Sequence, residues 1–465
     1  MTAIDALTTE LPAELQLGGP RPLRGRLRVP GDKSISHRAL LFAALASGTS
    51  RLWWLADGDD VVRSRAAIEA LGAKVRDGAG SPGEARELHQ PPLRQTSSAG
   101  ERVGPVVIVR GGGFDGLREP DAVIDCGNSG TSIRLLCGIL AGRPFHSVLT
   151  GDSSIVRRPM GRVVEPLRQM GARIDGRDGG RLAPLAIRGG GLRAMRHELA
   201  VASAQVKTAL LLAGLQADGV TEVTEPALSR DHTERLLPAM GAALESIPGG
   251  ARVEPVGAAG LTPIDLAVPG DPSAAAFFVV GACITPGSDL VVEDVCLNPT
   301  RIGFITVLQR MGADVEVVVK EERGGEPVGD IRAAAGPLRG TTMAGEEIPR
   351  IIDEIPVLAV AAAFAVGVTE VADAAELRVK ESDRIGTIEQ ELSQLGIAVE
   401  AKTDGLVITG GAPHGGLFKS HGDHRIAMAA AIAANACEGP STVRGWRAVG
   451  SSYPRFAADL ASVTE

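Results

Sequence analysis

The sequence predicts an α/β protein of two similar domains. Three observations point to this class: the chain length, a helical pattern that recurs six times, and a short motif that occurs twice. A chain of 465 residues exceeds the size at which one hydrophobic core stops growing, so we expect at least two domains. Hydrophobic residues make up 44% of the chain and charged residues 22%, proportions that are ordinary for a folded globular protein.

Six alanine-rich segments share one pattern, in which an apolar helix ends at glycine and a β-prone stretch follows. They are His37–Gly48, Thr131–Gly142, Gln205–Gly219, Pro272–Gly287, Glu354–Gly367 and His424–Gly439. A second helix follows in most units and stops at a pair such as Leu71-Gly72 or Met170-Gly171, where glycine suits a left-handed cap. The polar, Pro/Gly-rich residues 80–105 are interpreted as an inserted loop.

The tetrad Val29-Pro30-Gly31-Asp32 recurs as Val268-Pro269-Gly270-Asp271, and three of the six units follow each copy. Chance is the alternative, since Pro-Gly-Asp is common turn chemistry. The repetition predicts a first domain of residues 31–265 and a second of residues 1–30 with 266–465. We expect the N-terminus around Arg24–Val29 to supply a strand to the sixth unit and Tyr453–Val463 to supply its second helix. Ligands are expected in a cleft between the domains.

Composition and charge exclude several classes of protein. A formal net charge of −8 disfavours nucleic acid as a partner, because phosphate backbones are bound by basic surfaces. The five cysteines, none in a Cys-x-x-Cys pair, argue against a disulfide framework and a metal site and fit a reducing cytosol. The N-terminus lacks the apolar core of a signal peptide, and runs such as Ile355–Val366 are too short to cross a bilayer. We expect a cytoplasmic protein.

Cationic residues recur where helices begin. Lys33, Ser34 and Arg38 surround the start of the first alanine-rich helix, and Lys380, Arg384 and Arg425 lie at later helix starts. A cation at the positive end of a helix dipole is mildly unfavourable unless a bound anion offsets it. Solvated helix caps are the alternative for each motif alone. The repetition favours bound phosphates and carboxylates.

Other polar residues accompany these helix starts. Gly130 opens the second unit's helix, where the absence of a Cβ would let a ligand approach the backbone. Arg158 and Arg230 lie in short motifs beside later helices. The acids Asp353 and Glu381 are candidates for proton transfer, with salt-bridge partners as the alternative.

Taken in chain order, eight motifs resemble the EPSP synthase family: PGDKSISHRALLFAALA, DCGNSGTSIR, RRPM, VASAQVKTALLLAG, RDHTERLL, IIDEIPVLAVAA, RVKESDR and GDHRIAM. The match runs from about Val29 to Arg455. The resemblance implies an α/β (α+β) fold whose two domains each contain three βαβαββ repeats, in an inside-out α/β barrel, with the active site in the interdomain cleft. It also implies a monomer without metal or cofactor.

Family chemistry implies transfer of the enolpyruvyl group of phosphoenolpyruvate to the 5-hydroxyl of shikimate 3-phosphate, which gives 5-enolpyruvylshikimate 3-phosphate and phosphate on the route to chorismate and aromatic amino acids. By motif position, shikimate 3-phosphate would meet Lys33, Ser34, Arg38, Ser203, Gln205, Arg230, Asp353 and Lys380. Phosphoenolpyruvate would meet Lys33, Gly130, Arg158, Gln205, Arg384 and Arg425. Asp353 is the implied base, and Glu381 and Lys33 are candidates for proton transfer.

The sequence departs from the family pattern in two places. Many relatives carry Lys where Ser452 stands, so one phosphate contact is in question, and the nearby Arg455 is a possible replacement. The triplet Ser203-Ala204-Gln205 resembles the divergent class of the family. Gly130 matches the small residue of relatives that glyphosate inhibits, so the resemblance predicts sensitivity to glyphosate.

Three alternatives remain open. The UDP-N-acetylglucosamine enolpyruvyl transferases resemble this fold but usually use a reactive Cys on a mobile loop, and the comparable stretch Gly151–Arg158 has none. A non-catalytic repeat scaffold would present exposed apolar patches and would not need acids and cations at successive helix starts. RNA-handling relatives of similar architecture are disfavoured by the charge of −8 and by an aromatic content of 3%.

Overall fold

The computed structural model describes residues 11–80, 104–257 and 260–464. The chain divides into two compact units. The first unit contains Gly31–Pro269 and Glu322–Glu326, and the second contains Met1–Pro30, Gly270–Glu321 and Pro327–Glu465. The loop predicted at residues 80–105 lies almost entirely outside the described residues, and its flanking strands pair with each other at Gly80 and Gly104.

Two kinds of helix alternate in the first unit. Three are the alanine-rich helices, α1 (Lys33–Ala44), α3 (Gly130–Ala141) and α5 (Ala204–Gly214), which are buried along most of their length. The others are α2 (Asp59–Ala70), α4 (Gly161–Gln169) and α6 (His232–Ala239). Helix α1 begins four residues before the predicted His37, because the Asp32 side chain caps it. Short helical turns lie at Phe114–Gly116, Ile155–Arg157 and Arg177–Gly180.

The described strands of the first unit form three sheets of four strands. In hydrogen-bonded order they are Asp265–Ala267, Ser47–Trp53, Gly104–Gly112 and Lys74–Gly80; then Ile124–Asp125, His146–Thr150, Leu182–Arg188 and Arg173–Gly176; then Arg196–Glu198, Thr221–Thr224, Gly250–Val253 and Leu244–Ile247. In each sheet the first pair is parallel and the other pairs are antiparallel. This shared topology identifies the three sheets as copies of one unit.

The second unit has the same alternation of helices. Its buried, alanine-rich helices are α7 (Pro272–Ile284), α9 (Ile355–Ala363) and α11 (His424–Ala436). Its other helices are α8 (Gly303–Arg310), α10 (Arg384–Ser393) and α12 (Phe456–Thr464). Short helical turns lie at Gly345–Glu347, Ile348–Ile351, Ala375–Val379 and Trp446–Ser451. Helix α12 occupies the tail where the second helix of the sixth unit was predicted.

The described strands of the second unit also form three sheets. Their orders are Asp314–Arg323, Glu326–Ala334, Asp289–Cys296 and Arg24–Leu27; then Thr342–Met343, Val368–Val371, Leu406–Thr409 and Ala398–Ala401; then Glu14–Gly18, Pro440–Arg444 and Leu417–Lys419. Again each sheet contains one parallel edge pair, formed by Arg24–Leu27, Thr342–Met343 or Leu417–Lys419.

The predicted place of the N-terminal strand is wrong. Arg24–Leu27 pairs with Asp289–Cys296, in the sheet of the fourth unit, and not with the sixth unit. The sixth unit instead receives Glu14–Gly18, which runs antiparallel to Pro440–Arg444. The reason is that Leu15 and Leu17 of this earlier segment pack against the core, an alternation that suits a strand with one buried face.

The junction between the units follows from strand pairing. Asp265–Ala267 pairs with Arg51–Trp53 of the first unit, so the first unit extends to Pro269, four residues beyond the predicted boundary at 265.

The glycines that end the second helices have the predicted left-handed backbone, with φ of 99° at Gly72 and 113° at Gly171. Within the described ranges, no helix has the length and apolarity needed to span a membrane.

Candidate active site

The start of α1 brings a lysine, a serine and an arginine of the first unit together. Asp32 accepts the backbone N–H of Ile35 at 2.8 Å, which fixes the first turn. Lys33, in that turn, forms an ion pair with Asp60 of α2. The hydroxyl of Ser34 accepts a hydrogen bond from Arg230 at 3.3 Å. The predicted residues Lys33, Ser34 and Arg230 therefore gather at one helix start.

Arg38 lies one turn further along α1 and is 2% exposed. It donates to the backbone oxygen of Ser34 at 3.0 Å and to the hydroxyls of Thr233 and Thr208 at 2.8 Å each. Burial lowers the pKa of Arg38 to about 10. The charges of Glu234, Asp32 and Glu326 oppose this effect only in part. Because the hydrogen-bond partners of Arg38 are neutral oxygens, an anionic ligand would offset its charge further.

Gly130 begins α3 beside two guanidinium groups. A Cβ built on Gly130 would lie 2.9 Å from Nη1 of Arg134 and 3.1 Å from Nη1 of Arg158. Arg158 donates to the side-chain oxygen of Asn128 at 2.8 Å and to Ser154 Oγ at 3.2 Å. The predicted pair of Gly130 and Arg158 is therefore together. Arg134 belongs to the same group, and its position one turn into the helix was the sequence signal for it.

Gln205 joins the starts of α3 and α5. Its amide nitrogen donates to Thr131 Oγ1 at 2.9 Å, and its amide oxygen accepts from Arg134 at 2.7 Å. Ser203 caps α5, since its hydroxyl accepts the backbone N–H of Val206 at 3.4 Å. The residues predicted in the first half of the sequence thus lie at helix starts of one unit.

Arg384 is the centre of the cluster in the second unit. It is 1% exposed and reaches three carboxylates: Asp423 Oδ2 at 2.8 Å, Glu381 Oε2 at 2.7 Å and Asp353 Oδ1 at 3.3 Å. Burial lowers the pKa of Arg384, but the charges of Asp423, Glu381 and Asp353 outweigh burial and hold that pKa above its ordinary value. The guanidinium is therefore a permanent charge at this position.

Asp353 is shared among cations. Besides Arg384, Lys380 Nζ lies 3.5 Å from its Oδ1 and Arg425 Nη2 lies 3.7 Å from its Oδ2. Arg425 also donates to the backbone oxygen of Asp353 at 3.0 Å. The five residues predicted in the second half of the sequence, Asp353, Lys380, Glu381, Arg384 and Arg425, are thus brought together. A positioned carboxylate is one of the common general bases, so Asp353 is a candidate proton acceptor.

Asp423 was missed as a site residue. It is fully buried and caps α11 by accepting the backbone N–H of Arg425 at 2.9 Å. Burial raises the pKa of Asp423, but the charge of Arg384 outweighs burial and the pKa is lowered. The available signal was its place before His424-Arg425, a helix start already identified as cationic.

A second missed group lies at the start of α7. Ser273 donates to Glu354, and Arg301 donates to Asp271 Oδ1 and to Ser273 Oγ at 2.9 Å each. Arg425 Nη1 lies 3.8 Å from Glu354 Oε1, which links this group to the Arg384 cluster. The second copy of the repeated tetrad contains Asp271, and this was the sequence signal for the group.

The two residues where the sequence departs from the family pattern are Ser452 and Arg455. Ser452 follows a helical turn, and Arg455 is exposed.

A family model described as EPSP synthase (3-phosphoshikimate 1-carboxyvinyltransferase) matches residues 17–101 and 92–460. The chain belongs to the EPSP synthase family. A 3-phosphoshikimate 1-carboxyvinyltransferase from Synechococcus sp. is 51% identical over 458 residues, covering 98% of each chain. One from Chloroflexus aurantiacus is 51% identical over 454 residues, covering 97% of this chain and 99% of the relative.

Two solved structures resemble the fold described above. The EPSP synthase of Acinetobacter baumannii superposes with a TM-score of 0.82 at 40% identity, over 97% of this chain and 98% of that one. The enolpyruvyl transferase NikO of Streptomyces tendae superposes with a TM-score of 0.73 at 20% identity, over 97% of each chain. The likeness to NikO concerns the fold alone.

The cysteines are unsuited to nucleophilic chemistry, which bears on the rival enolpyruvyl transferases. All five are buried. Burial raises the pKa of Cys137, Cys283 and Cys437 to about 12 and that of Cys126 further, and the thiolate is the reactive form. Among the described residues, no group of His, Cys, Asp or Glu is arranged to hold a metal ion.

Proposed function

We propose that this chain transfers the enolpyruvyl group of phosphoenolpyruvate to the 5-hydroxyl of shikimate 3-phosphate, with release of phosphate. The reaction serves chorismate and aromatic amino-acid biosynthesis. Membership of the EPSP synthase family supports the activity. The observation that carries the mechanism is Asp353, whose carboxylate lies between 3.3 and 3.7 Å from Arg384, Lys380 and Arg425.

Shikimate 3-phosphate is proposed to bind mainly through the first unit. Its phosphate carries about two negative charges, which the cations at the start of α1 offset. Ser34 and Arg230 are already hydrogen-bonded to each other, and a phosphate oxygen can be bound by both of them. The proposed set is Lys33, Ser34, Arg38, Ser203, Gln205 and Arg230, completed by Asp353 and Lys380 of the second unit.

Phosphoenolpyruvate is proposed to bind where its two anionic groups each meet arginines. Arg158 lies beside Gly130, whose missing side chain leaves room next to the guanidinium. Arg384 and Arg425 of the second unit can form bidentate contacts with a carboxylate or phosphate. Lys33 and Gln205 complete the proposed set.

The proposed chemistry is addition followed by elimination. C3 of phosphoenolpyruvate accepts a proton, the 5-hydroxyl oxygen forms a bond to C2, and the hydroxyl proton passes to Asp353. Loss of a proton from C3 then re-forms the double bond as the C2–O bond to phosphate breaks and phosphate leaves. Glu381 and Lys33 are the proposed groups for the proton on C3.

The proposed ligand residues belong to both units, so we propose that the units act on one pair of substrates in a cleft that closes on binding. Small-angle scattering with and without both ligands tests this proposal. A smaller radius of gyration in the presence of both is expected, and an unchanged profile would contradict closure. We further propose a cytoplasmic monomer that needs no cofactor. Light scattering measures the oligomeric state and should give the mass of a monomer. Full activity after dialysis against EDTA is expected if the protein needs no cofactor.

The experiment for the function is a phosphate-release assay with phosphoenolpyruvate and two acceptors in parallel. Shikimate 3-phosphate is expected to support turnover, with a product whose mass is that of 5-enolpyruvylshikimate 3-phosphate, and UDP-N-acetylglucosamine is not. Turnover with the second acceptor alone would overturn the proposal. Glyphosate is expected to inhibit the reaction, and full activity at millimolar glyphosate would contradict the predicted sensitivity.

A further inference from the structure

A buried ionic triad lies behind the proposed phosphate-binding residues of the first unit. Lys207 Nζ lies 2.6 Å from Glu225 Oε1 and 2.7 Å from Glu234 Oε1. The residues are 1%, 7% and 8% exposed, respectively. Burial lowers the pKa of Lys207, but the charges of Glu234 and Glu225 outweigh burial and raise that pKa. We call Lys207, Glu225 and Glu234 the Lys207 triad. It holds two negative charges against one positive charge.

Glu225 of the Lys207 triad fixes two backbone segments. Its carboxylate accepts the backbone N–H of Ser229 at 2.8 Å and the hydroxyl of Ser229 at 2.7 Å. It also accepts the backbone N–H of Ser203 at 3.3 Å. Ser229 immediately precedes Arg230, and Ser203 caps α5. One carboxylate thus sets the positions of two residues that are proposed to bind shikimate 3-phosphate.

Glu234 connects the same triad to Arg38. It follows Thr233, the residue whose hydroxyl accepts from Arg38 at 2.8 Å. Although burial lowers the pKa of Arg38 overall, the charge of Glu234 is the largest influence that opposes burial. The net negative charge of the triad therefore lies close to the proposed phosphate-binding cations.

Burying the charges of the Lys207 triad in the core costs free energy. A buried ion pair often stabilises a protein no more than well-packed apolar residues of similar volume. In the part of the chain that the structure describes, Glu234 Oε2 is buried without a hydrogen-bond partner, which adds a further cost. Packing alone does not account for this arrangement, and a role in positioning does.

We propose that Glu225, held by Lys207, is a positioning residue that fixes Ser203 and Arg230 in the geometry that binds the phosphate of shikimate 3-phosphate. This inference rests on the proposed function and deepens it. It assigns a role to residues that do not touch the substrate. Small misplacements of positioned groups weaken binding strongly, so loss of the Glu225 charge is expected to act on substrate affinity and not on the chemical step.

The test is a double-mutant cycle of Glu225→Gln and Arg230→Gln, with KM for shikimate 3-phosphate and kcat measured for each variant. Glu225→Gln is expected to raise KM about tenfold and to leave kcat within about twofold. The KM increase of the double variant is expected to be clearly smaller than the product of the two single increases, because residues that act as one unit are not additive. KM increases that multiply would overturn the proposal, as would a wild-type KM for Glu225→Gln.

Two further variants serve as a control and as a replacement in case Glu225→Gln does not fold. Glu222→Gln is the control, because Glu222 lies on the strand that ends just before Glu225 and forms a partly exposed pair with Arg196. Its KM is expected to stay at the wild-type value. Ser229→Ala removes a single hydroxyl donor to Glu225 and repeats the cycle if Glu225→Gln does not fold. Additive behaviour of Ser229→Ala with Arg230→Gln would equally overturn the proposal. An inactive wild-type protein would contradict the proposed function itself, so the two failures are distinguishable.

Discussion

Arginines of the candidate site have different partners in the two units, although Lys33 of the first unit also pairs with an acid, Asp60. In the first unit, Arg38 donates to threonine hydroxyls and Arg134 to an amide oxygen. In the second unit, Arg384 donates to three carboxylates, and Arg425 lies near two more acidic side-chain oxygens. Cations with neutral partners keep charge for a phosphate, whereas the second unit gathers carboxylates of the kind that serve as general bases. From this comparison we propose that the first unit holds most of the phosphate of shikimate 3-phosphate and that the second unit supplies the general base.

The largest effect that this comparison predicts is on turnover. Asp353→Asn removes the proposed base and keeps the shape of the side chain, so kcat is expected to fall about 10³-fold, within the usual range for loss of a general base. Steady-state phosphate release measures the change. Glu346→Gln, at an exposed position shortly before Asp353, is the control and should leave kcat unchanged. A loss below tenfold for Asp353→Asn would place the base elsewhere.

A large effect on stability is expected at Arg384. Arg384→Gln leaves the fully buried Asp423 without its cation, and breaking such a buried pair costs about 3–5 kcal/mol. Urea denaturation gives the free energy of unfolding. Arg252→Gln removes an exposed ion pair with Glu245, which should cost less than about 1 kcal/mol. Equal losses of unfolding free energy in the two variants would contradict the predicted difference between a buried and an exposed ion pair.

A smaller effect is expected at Gly130. In Gly130→Ala the new methyl group meets the ends of Arg134 and Arg158. These flexible side chains can shift, so the protein should fold, but KM for phosphoenolpyruvate is expected to rise about tenfold. KM for shikimate 3-phosphate should change less. Gly161→Ala is the control, since its Cβ would lie 3.6 Å from Arg181, an ordinary contact. An unchanged KM for phosphoenolpyruvate would remove Arg158 from the proposed site.

The smallest expected effect concerns pH. Burial, with Lys33 and Arg38 nearby, holds the pKa of His37 well below 6.5. The unfolded chain binds a proton that the folded chain does not, so stability should fall as pH decreases below about 6.5, by up to about 1.4 kcal/mol per pH unit. Unfolding free energies from pH 7.5 to 5.5 test this. His37→Gln should reduce the slope, and the exposed-residue control His146→Gln should not; equal slopes would contradict it.

Much of the fold was predictable because its signals are local. Alanine-rich runs ending at glycine located α1, α3, α5, α7, α9 and α11. The strand pairings were harder, since Glu14–Gly18 and Arg24–Leu27 join sheets whose other strands lie hundreds of residues away. The alternation of Leu15 and Leu17 marks the first segment as a strand, but no short window shows which sheet each segment joins.

The candidate site shows the same division. Lys33, Arg384 and Arg425 were detectable because each sits at a helix start where a cation is unexpected. Glu225 was not, because an acid just after a strand is ordinary in sequence, and the position of Asp423 before His424-Arg425 did not by itself reveal its buried pair. Their importance arises from burial against Lys207 and Arg384, respectively. Local sequence patterns therefore do not predict which charged residues of the site pair over long sequence distances.

The most direct test of the division between units is calorimetric titration of shikimate 3-phosphate into two variants. Asp353→Asn is expected to bind it with a Kd within about threefold of the wild type, since the amide keeps the contact to the 5-hydroxyl. Arg230→Gln is expected to bind at least about tenfold more weakly, because a charged partner of the phosphate is lost. Equal loss of affinity in both variants would contradict the assignment of the phosphate contacts to the first unit and of the general base to the second.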